Sequence, residues 1–533
     1  MKRMSLKFMK KYFINQIRTF ILVIILFNLL SGVSISSKKI HLATSEREPY
    51  IGSNLPNKGY VHELVTKVFS KVGYEVEIKF YPLARAKNLS KFGEVDGFLP
   101  SYNDKSMEKF LVFSAPFPGD NIGLLKKKSL SVSYSVDPRE NLSKTLEALQ
   151  NYEFGIVRGA SVCQYFDQAN FLKKQFVTTD LQNIDKIEAG RMDFAVIDKY
   201  TAADLMVNNR PHLIGKLEFI HPPLVSNSFH IAFSKKAKNY QQLKDYFDRG
   251  LSILKKNGDL TQILEKHGLY RPKINTPGKK KLVIGVIDSD DIKMIKTLSK
   301  EFEELDPDIT LDWRFLEENV LRKRLLSDIA VSDGQFDIMM IGSYESPIWG
   351  KNKWLHPFIN LPKEYDLKDV VETVRKGLSY QNNLYALPFY AESTMTFYRK
   401  DLFEKAGIKM PANPTYHEIM KFAGAVHDPD NGIYGIGLRG KPGWGQNMAF
   451  ISILVHTYGG RWFDENWKPA INTKEWKNAL NYYKEIMDKY GHPNKVDNGW
   501  YENQKLFADG HLGIIVDATS LAGRLFNPKF SIK

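Results

Sequence analysis

KKLVIGVIDSDDIKMIKTLSKEFEELDPDITLDWRFL, Lys280–Leu316, decides the fold class. A basic start runs into an apolar stretch. A short polar loop follows, then Ile295, Leu298, Phe302 and Leu305 recur at helical spacing, and a second strand-like run, ITLDWRFL, closes the segment. FDIMMIGS, Phe336–Ser343, adds a third short apolar strand beyond another helix-period stretch. The same order opens the chain: KKIHLAT (Lys38–Thr44), then HELVTKVFSKVG (His62–Gly73) with Leu64, Val65, Val68, Phe69 and Val72 on one face, then YEVEIKFYP and VDGFLPS. Strand–helix alternation of this kind predicts an α/β protein with parallel strands, helices on the sheet faces and ligands at the carboxyl ends of the strands.

Because the pattern occurs twice in 533 residues, two α/β modules are expected, each of two lobes joined by a hinge. The predicted boundaries are a signal segment at 1–36, a first module at 38–270, a linker at 271–280 and a second module at 281–533. The linker holds two prolines and a glycine without apolar period. Ahead of the first module, six basic residues precede the apolar run FILVIILFNLL and the small-residue stretch SGVSISS, the order of an export signal cleaved near Ser36 or retained as an anchor. The run is too short to span a bilayer as an ordinary helix, which takes roughly 20 apolar residues. The net charge of +15 is partly carried by that leader, and the rest is dispersed as single lysines. This is a solvated surface rather than a nucleic-acid footprint. One cysteine, Cys163, excludes an internal disulfide and a Cys-rich zinc module.

The stretch YPLARAKNLSKFGEVDGFLPSYNDKSMEKFLVFSAPF, Tyr81–Phe117, with IDKIEAGRMDFAVID, Ile184–Asp198, resembles the family 3 extracellular solute-binding proteins, which capture amino acids and related solutes for ABC importers. Where that family carries a carboxylate-clamping arginine, this chain has Met107, so the resemblance leaves Arg85 or Arg158 as candidate clamps and the ligand of this module open.

All eight tryptophans follow the linker, and aromatic faces pack against the C–H faces of sugars and polyols. SYESPIWGKNKWL, LYALPFYAESTMTFYRKDLFEKAGI, GLRGKPGWGQNMAF and GGRWFDENWKP, spread over 343–469, resemble family 1 solute-binding proteins of the sorbitol/mannitol branch. That resemblance implies a type II periplasmic binding fold, a sugar alcohol or sugar held between two lobes, delivery to an ABC permease, a periplasmic location and a monomer with no cofactor. The candidate binding residues are Tyr344, Glu345, Tyr390, Glu392, Arg439, Trp444, Asn447, Trp462 and Asp517. Members of the branch continue well beyond the counterpart of HLGIIVDAT, His511–Thr519, so the second module is expected to be truncated, or the product of a disrupted gene.

Enzyme chemistry finds no support in the motifs. The twelve histidines form no HExxH pair, no GxSxG elbow occurs, and HDPDNG lacks the spacing and closing glutamate of a calcium loop. The Glu392–Ser393 pair lacks the flanking sequence of a peptidoglycan-cleaving helix. The rival class is a sensory ectodomain reporting the same ligand to a kinase or chemoreceptor.

Overall fold

The computed structural model describes residues 38–269, 279–389, 391–443 and 445–526. The predicted signal segment, most of the linker, Tyr390 and Trp444 lie outside them. The chain divides into two compact units, Met1–Arg271 with Ala330–Ser332, and Pro272–Ile329 with Asp333–Lys533. Each is α/β, as the alternation predicts.

In the first unit, β1 (Lys38–Thr44) pairs in parallel with β2 (Tyr74–Phe80) and β3 (Gly97–Ser101). β4 (Leu111–Phe113) and β5 (Phe117–Lys127) follow, then β6 (Glu153–Val157), β7 (Lys173–Val177), β8 (Phe194–Asp198), β9 (Leu217–Phe219) and β10 (Val225–Ser234). β10 belongs to both halves of the sheet: its His230–Ser234 end pairs with β3 and β4, and its Val225–Phe229 end with β5. β5 carries the connection on to β8, which joins β6 and β7.

The helix Tyr60–Ser70 buries Leu64, Val65, Val68 and Phe69 as its spacing predicts, whereas Val72, beyond the helix end, is exposed. The chain enters that helix through Gly59 at φ +89°, where a Cβ would sit 2.5 Å from the Tyr50 carbonyl oxygen, so only glycine fits. Helix starts elsewhere are set by side-chain caps, notably Asp198, which ends β8 and accepts from the Thr201 amide to open the helix Lys199–Asn209.

In the second unit, β11 (Lys280–Ile287) lies between β12 (Ile309–Leu316) and β13 (Ile338–Met339), all parallel. A short hairpin, β14 (Ser379–Tyr380) and β15 (Asn383–Leu384), precedes a second sheet in which β18 (Leu512–Ala518) is central between β16 (Thr394–Tyr398) and β17 (Tyr434–Gly437). The core against this second sheet is large, built from Phe403, Ile419, Phe422, Leu454, Trp476, Ile486 and Ile514 among others.

The first sheet departs from expectation. The predicted single helix is two, Asp290–Leu298 and Lys300–Leu305, and it is Ile292 that they bury. Leu298, Phe302 and Leu305 are 57%, 44% and 85% exposed. Apolar period reveals a stripe; it does not reveal what covers it.

One contact gives a stability test. Glu63, on the helix Tyr60–Ser70, accepts from Lys266 Nζ at 2.8 Å and His267 Nε2 at 2.9 Å, tying that helix to Asp259–Lys266. The hydrogen bond from His267, opposed by burial and aided by Lys266, holds the Glu63 carboxyl down from 4.5 to about 2. A depressed carboxyl stabilises the fold above its unfolded value and ceases to do so as pH falls toward the folded value. Glu63→Gln should therefore cost about 1–3 kcal/mol near neutral pH. The deficit should shrink between pH 4.5 and about 2, as measured by melting temperature against pH.

Candidate functional site

The second unit contains a cleft of about 1670 Å³ whose lining draws on both of its sheets. Ile284, Val286, Trp313, Glu318 and Arg322 come from the β11 side; Arg439, Phe450, Trp500 and Asp517 come from the β18 side. Its walls are mostly apolar, with a few polar groups held by buried ion pairs.

Arg439 lies just beyond β17 and Asp517 near the end of β18, so adjacency of the strands brings together residues 78 apart in sequence. The guanidinium grips the carboxylate as a fork, Nε to Oδ2 at 3.2 Å and Nη2 to Oδ1, while Nη1 donates to the Gly445 carbonyl. Both side chains are nearly out of solvent. A bidentate, charge-assisted pair of this kind gives each buried group its hydrogen-bond partner in a poorly hydrated wall.

A second network faces it. Arg322, one turn into the helix Glu318–Val331, donates from Nη1 to the Met340 carbonyl at 2.8 Å and to Glu345 Oε2 at 3.2 Å, and from Nη2 to Glu318 Oε1 at 3.4 Å. Glu345 also accepts from the Gly342 amide at 2.6 Å. Burial pushes the carboxyls of Glu318 and Glu345 up, and Arg322 pulls both back. At Gly445, φ +67°, an added Cβ would come within 2.9 Å of Glu318 Oε2, so glycine lets the β18-side backbone approach that carboxylate. Lys441 Nζ reaches Glu317 Oε1 at 3.1 Å, a further link between the two sides.

Of the residues singled out from the sequence, Arg439, Asp517 and the exposed Glu392 line the cleft, and Glu345 lies behind the wall bonded to Arg322. Tyr344, about half exposed, precedes the helix Glu345–Lys351 and is not among the lining residues. Asn447 opens the helix Asn447–Thr457, its Oδ1 buried without a hydrogen-bond partner. Trp462 packs edge-on against Trp476 at 4.7 Å, with the core rather than the cleft. Tyr390 and Trp444 lie outside the described residues. Glu318, Arg322, Trp313 and Trp500 were not singled out. The i,i+4 spacing of Glu318 and Arg322 after a strand, and a tryptophan among polar residues in DNGWYEN, were the available signals.

In the first unit, Arg85 is exposed, its guanidinium 5.3 Å from the Tyr81 ring centre, and Arg158 is exposed. The arginine where the strand ends converge is Arg47, beyond the end of β1. Its guanidinium lies 4.9 Å from the Tyr102 ring centre and 4.8 Å from that of Phe229, and it pairs with the buried Asp120 of β5. Asp198 accepts nearby from Tyr50 Oη at 2.8 Å and the Asn121 amide at 3.0 Å. Cys163 is free and partly buried beside the hydrophobic cluster that includes Phe154 and Phe166.

Paired guanidiniums and carboxylates around an open, aromatic-walled cleft define a module suited to holding a small polar solute. Residues 292–531, just under half of the chain, match the family described as bacterial extracellular solute-binding protein. A curated relative, the mannitol-binding protein of Pseudomonas aeruginosa, is 49% identical over 256 residues, covering 48% of this chain and 58% of its own length. The maltotriose-binding protein of Pyrococcus abyssi is 24% identical over 239 residues, covering 43% of this chain and 46% of its own. An ABC transporter solute-binding protein from Agrobacterium vitis, crystallised with D-mannitol, is 46% identical with a TM-score of 0.46, covering 47% of this chain and 61% of that one. The chain thus spans about half the length of the curated relatives it matches.

Arg322 offers a test of the wall's construction. Arg322→Met would leave two buried carboxylates without their cation, at a cost of about 3–5 kcal/mol. Because burial already raises both carboxyls, protonation on acidification removes the uncompensated charge, so the deficit should narrow as pH falls. Melting curves of variant and parent from neutral to acidic pH check the sign.

Proposed function

We propose that the second unit captures a sugar alcohol in this cleft as the solute-binding component of an ABC-type importer. The observation that carries the reading is the Arg439–Asp517 fork facing the Glu318–Arg322–Glu345 network across an aromatic-walled space. A hydroxyl both donates and accepts. Carboxylate oxygens and guanidinium N–H groups fixed in place can therefore serve both halves of each hydroxyl, while Trp313 and Trp500 offer apolar faces to the carbon chain. With the wall's charges largely paired, the site favours an uncharged ligand over an ion. The similarity of residues 292–531 to extracellular solute-binding proteins, and the mannitol-binding relative, support the substrate class. Closure of the two sides on the ligand would extend links such as Lys441–Glu317 and present a closed form to a permease. Among the described residues no helix is long and apolar enough to cross a membrane, which suits a protein working outside the inner membrane behind its leader.

The test is titration of the full chain with mannitol, sorbitol and maltose, read by tryptophan fluorescence, since every tryptophan belongs to the second unit. Saturable response to a hexitol, weakened about 10- to 100-fold by Arg439→Ala, is the expected result. Folded protein that responds to none of the three would remove the assignment.

A further inference from the structure

In the first unit the loop after β1, the end of β3, the start of β5 and the end of β8 converge on one polar cluster, and the hydrogen bonds in it can be counted atom by atom. Asp120 Oδ2 accepts from Arg47 Nη2 and from Tyr102 Oη at 2.5 Å, and Oδ1 from Asn227 Nδ2 at 3.1 Å. Asp198 Oδ1 accepts from Tyr50 Oη and the Asn121 amide, and Oδ2 from the Thr201 amide at 2.9 Å and hydroxyl at 3.0 Å. Asp198 thus has its four acceptor sites filled, and Asp120, with three, has no exposed side-chain surface, so neither is left to receive an ammonium group.

Arg47 is engaged differently. A guanidinium has five N–H donors arranged as two forks, Nε with one Nη2 hydrogen and Nη1 with the other. Nη2 donates to both Asp120 and the Tyr102 oxygen, so one arm of each fork is spent. Among the described residues Nε and Nη1 meet no acceptor, and the side chain is 31% exposed. What this cluster offers a visitor is isolated donors on a guanidinium whose charge Asp120 already balances. A carboxylate needs a free fork and net positive charge once it loses water. Neither is present.

We propose that Asp120 is a built-in counter-anion occupying the place on Arg47 that a ligand carboxylate would take, and that it closes the first unit to amino acids and other carboxylates, restricting it to uncharged solutes that bring single oxygen acceptors. The Tyr102 and Phe229 rings hold Arg47 in place for this pairing, and Asp120 sets the specificity.

The experiment is chemical rescue on the full chain. Calorimetry of the parent protein with acetate, succinate and L-glutamate should show no binding. Asp120→Ala should lower the melting temperature of the first unit, and acetate or succinate, each able to refill the vacated anion position, should restore it. Acetamide, the uncharged isostere of acetate, should not. The double variant Asp120→Ala/Arg47→Gln should lose the response at least about tenfold. If Asp120→Ala does not fold, Asp120→Asn, which keeps the shape and removes the charge, should show the same carboxylate-dependent stabilisation more weakly. The proposal is overturned by binding of succinate or L-glutamate to the parent that Arg47→Gln abolishes, or by a folded Asp120 variant indifferent to carboxylates. Tryptophan fluorescence with mannitol reads the second unit separately, so failure of one reading does not imply failure of the other.

Discussion

A charge taken out of water must be given a partner, and that constraint organises the cleft of the second unit and the polar cluster of the first. In the second unit Asp517 is almost wholly buried on the central strand of its sheet, and Arg439 reaches it as a fork from beyond the neighbouring strand. On the opposite wall Arg322 partly offsets the burial that pushes the carboxyls of Glu318 and Glu345 up. In the first unit Asp120 has no exposed side-chain surface and fixes Arg47 between two rings. Each pair freezes the orientation of groups that would otherwise search many rotamers.

The strands explain why the pairs fall where they do. Parallel strands direct their carboxyl ends to one edge of a sheet, and the residues just past those ends meet there regardless of their distance along the chain. Arg47 follows β1 and Tyr102 follows the parallel β3, while β8, antiparallel to both by way of β10 and β5, brings Asp198 from the opposite direction; Arg439 follows β17 and Asp517 lies near the end of the parallel β18. Alternation of strand and helix was legible in the sequence because period-2 and period-3.6 patterns alternate cleanly, as in KKIHLAT followed by HELVTKVFSKVG. The place of Arg439 and Asp517 in the cleft was legible because the first lies just past a recognisable strand and the second within one, HLGIIVDAT. Glu318 and Arg322 were not, since a charged pair at i,i+4 reads equally as a solvated helix face. Arg47 was missed for a related reason: SEREPY after a strand looks like a polar turn, and nothing local reveals that Asp120, 73 residues away, is its partner.

Tryptophan illustrates both the reach and the limit of composition. Eight tryptophans after the linker pointed to one unit, and Trp313 and Trp500 do line its cleft. Trp462, set among glycines and polar residues, instead packs on Trp476, whose indole N–H donates to the Arg461 carbonyl at 2.9 Å. A glycine-rich neighbourhood shows that the backbone turns, not which way the side chain goes. The stripe of Leu298, Phe302 and Leu305 makes the same point for helices. Its period is correct, and its exposure depends on elements that the local sequence does not encode.

The cleft of the second unit and the polar cluster of the first differ in which groups they leave unsatisfied. Around the second, oxygens and N–H groups of opposite charge stand on facing walls, so a ligand that is donor and acceptor at every carbon can satisfy both. In the first, the two carboxylates accept seven hydrogen bonds from the protein itself, three on Asp120 and four on Asp198, while Arg47 keeps N–H donors that meet no acceptor among the described residues. On the proposed reading, specificity follows from which groups the protein has already satisfied for itself. A unit that spends its acceptors on its own hydroxyls, amides and arginine cannot hold an ammonium, whatever its fold resembles. One that spends one arm of each guanidinium fork cannot clamp a carboxylate without giving up a buried ion pair. That exchange sets a buried charge-assisted contact against one that must first be desolvated, and the intramolecular partner wins because it pays no entropy of association.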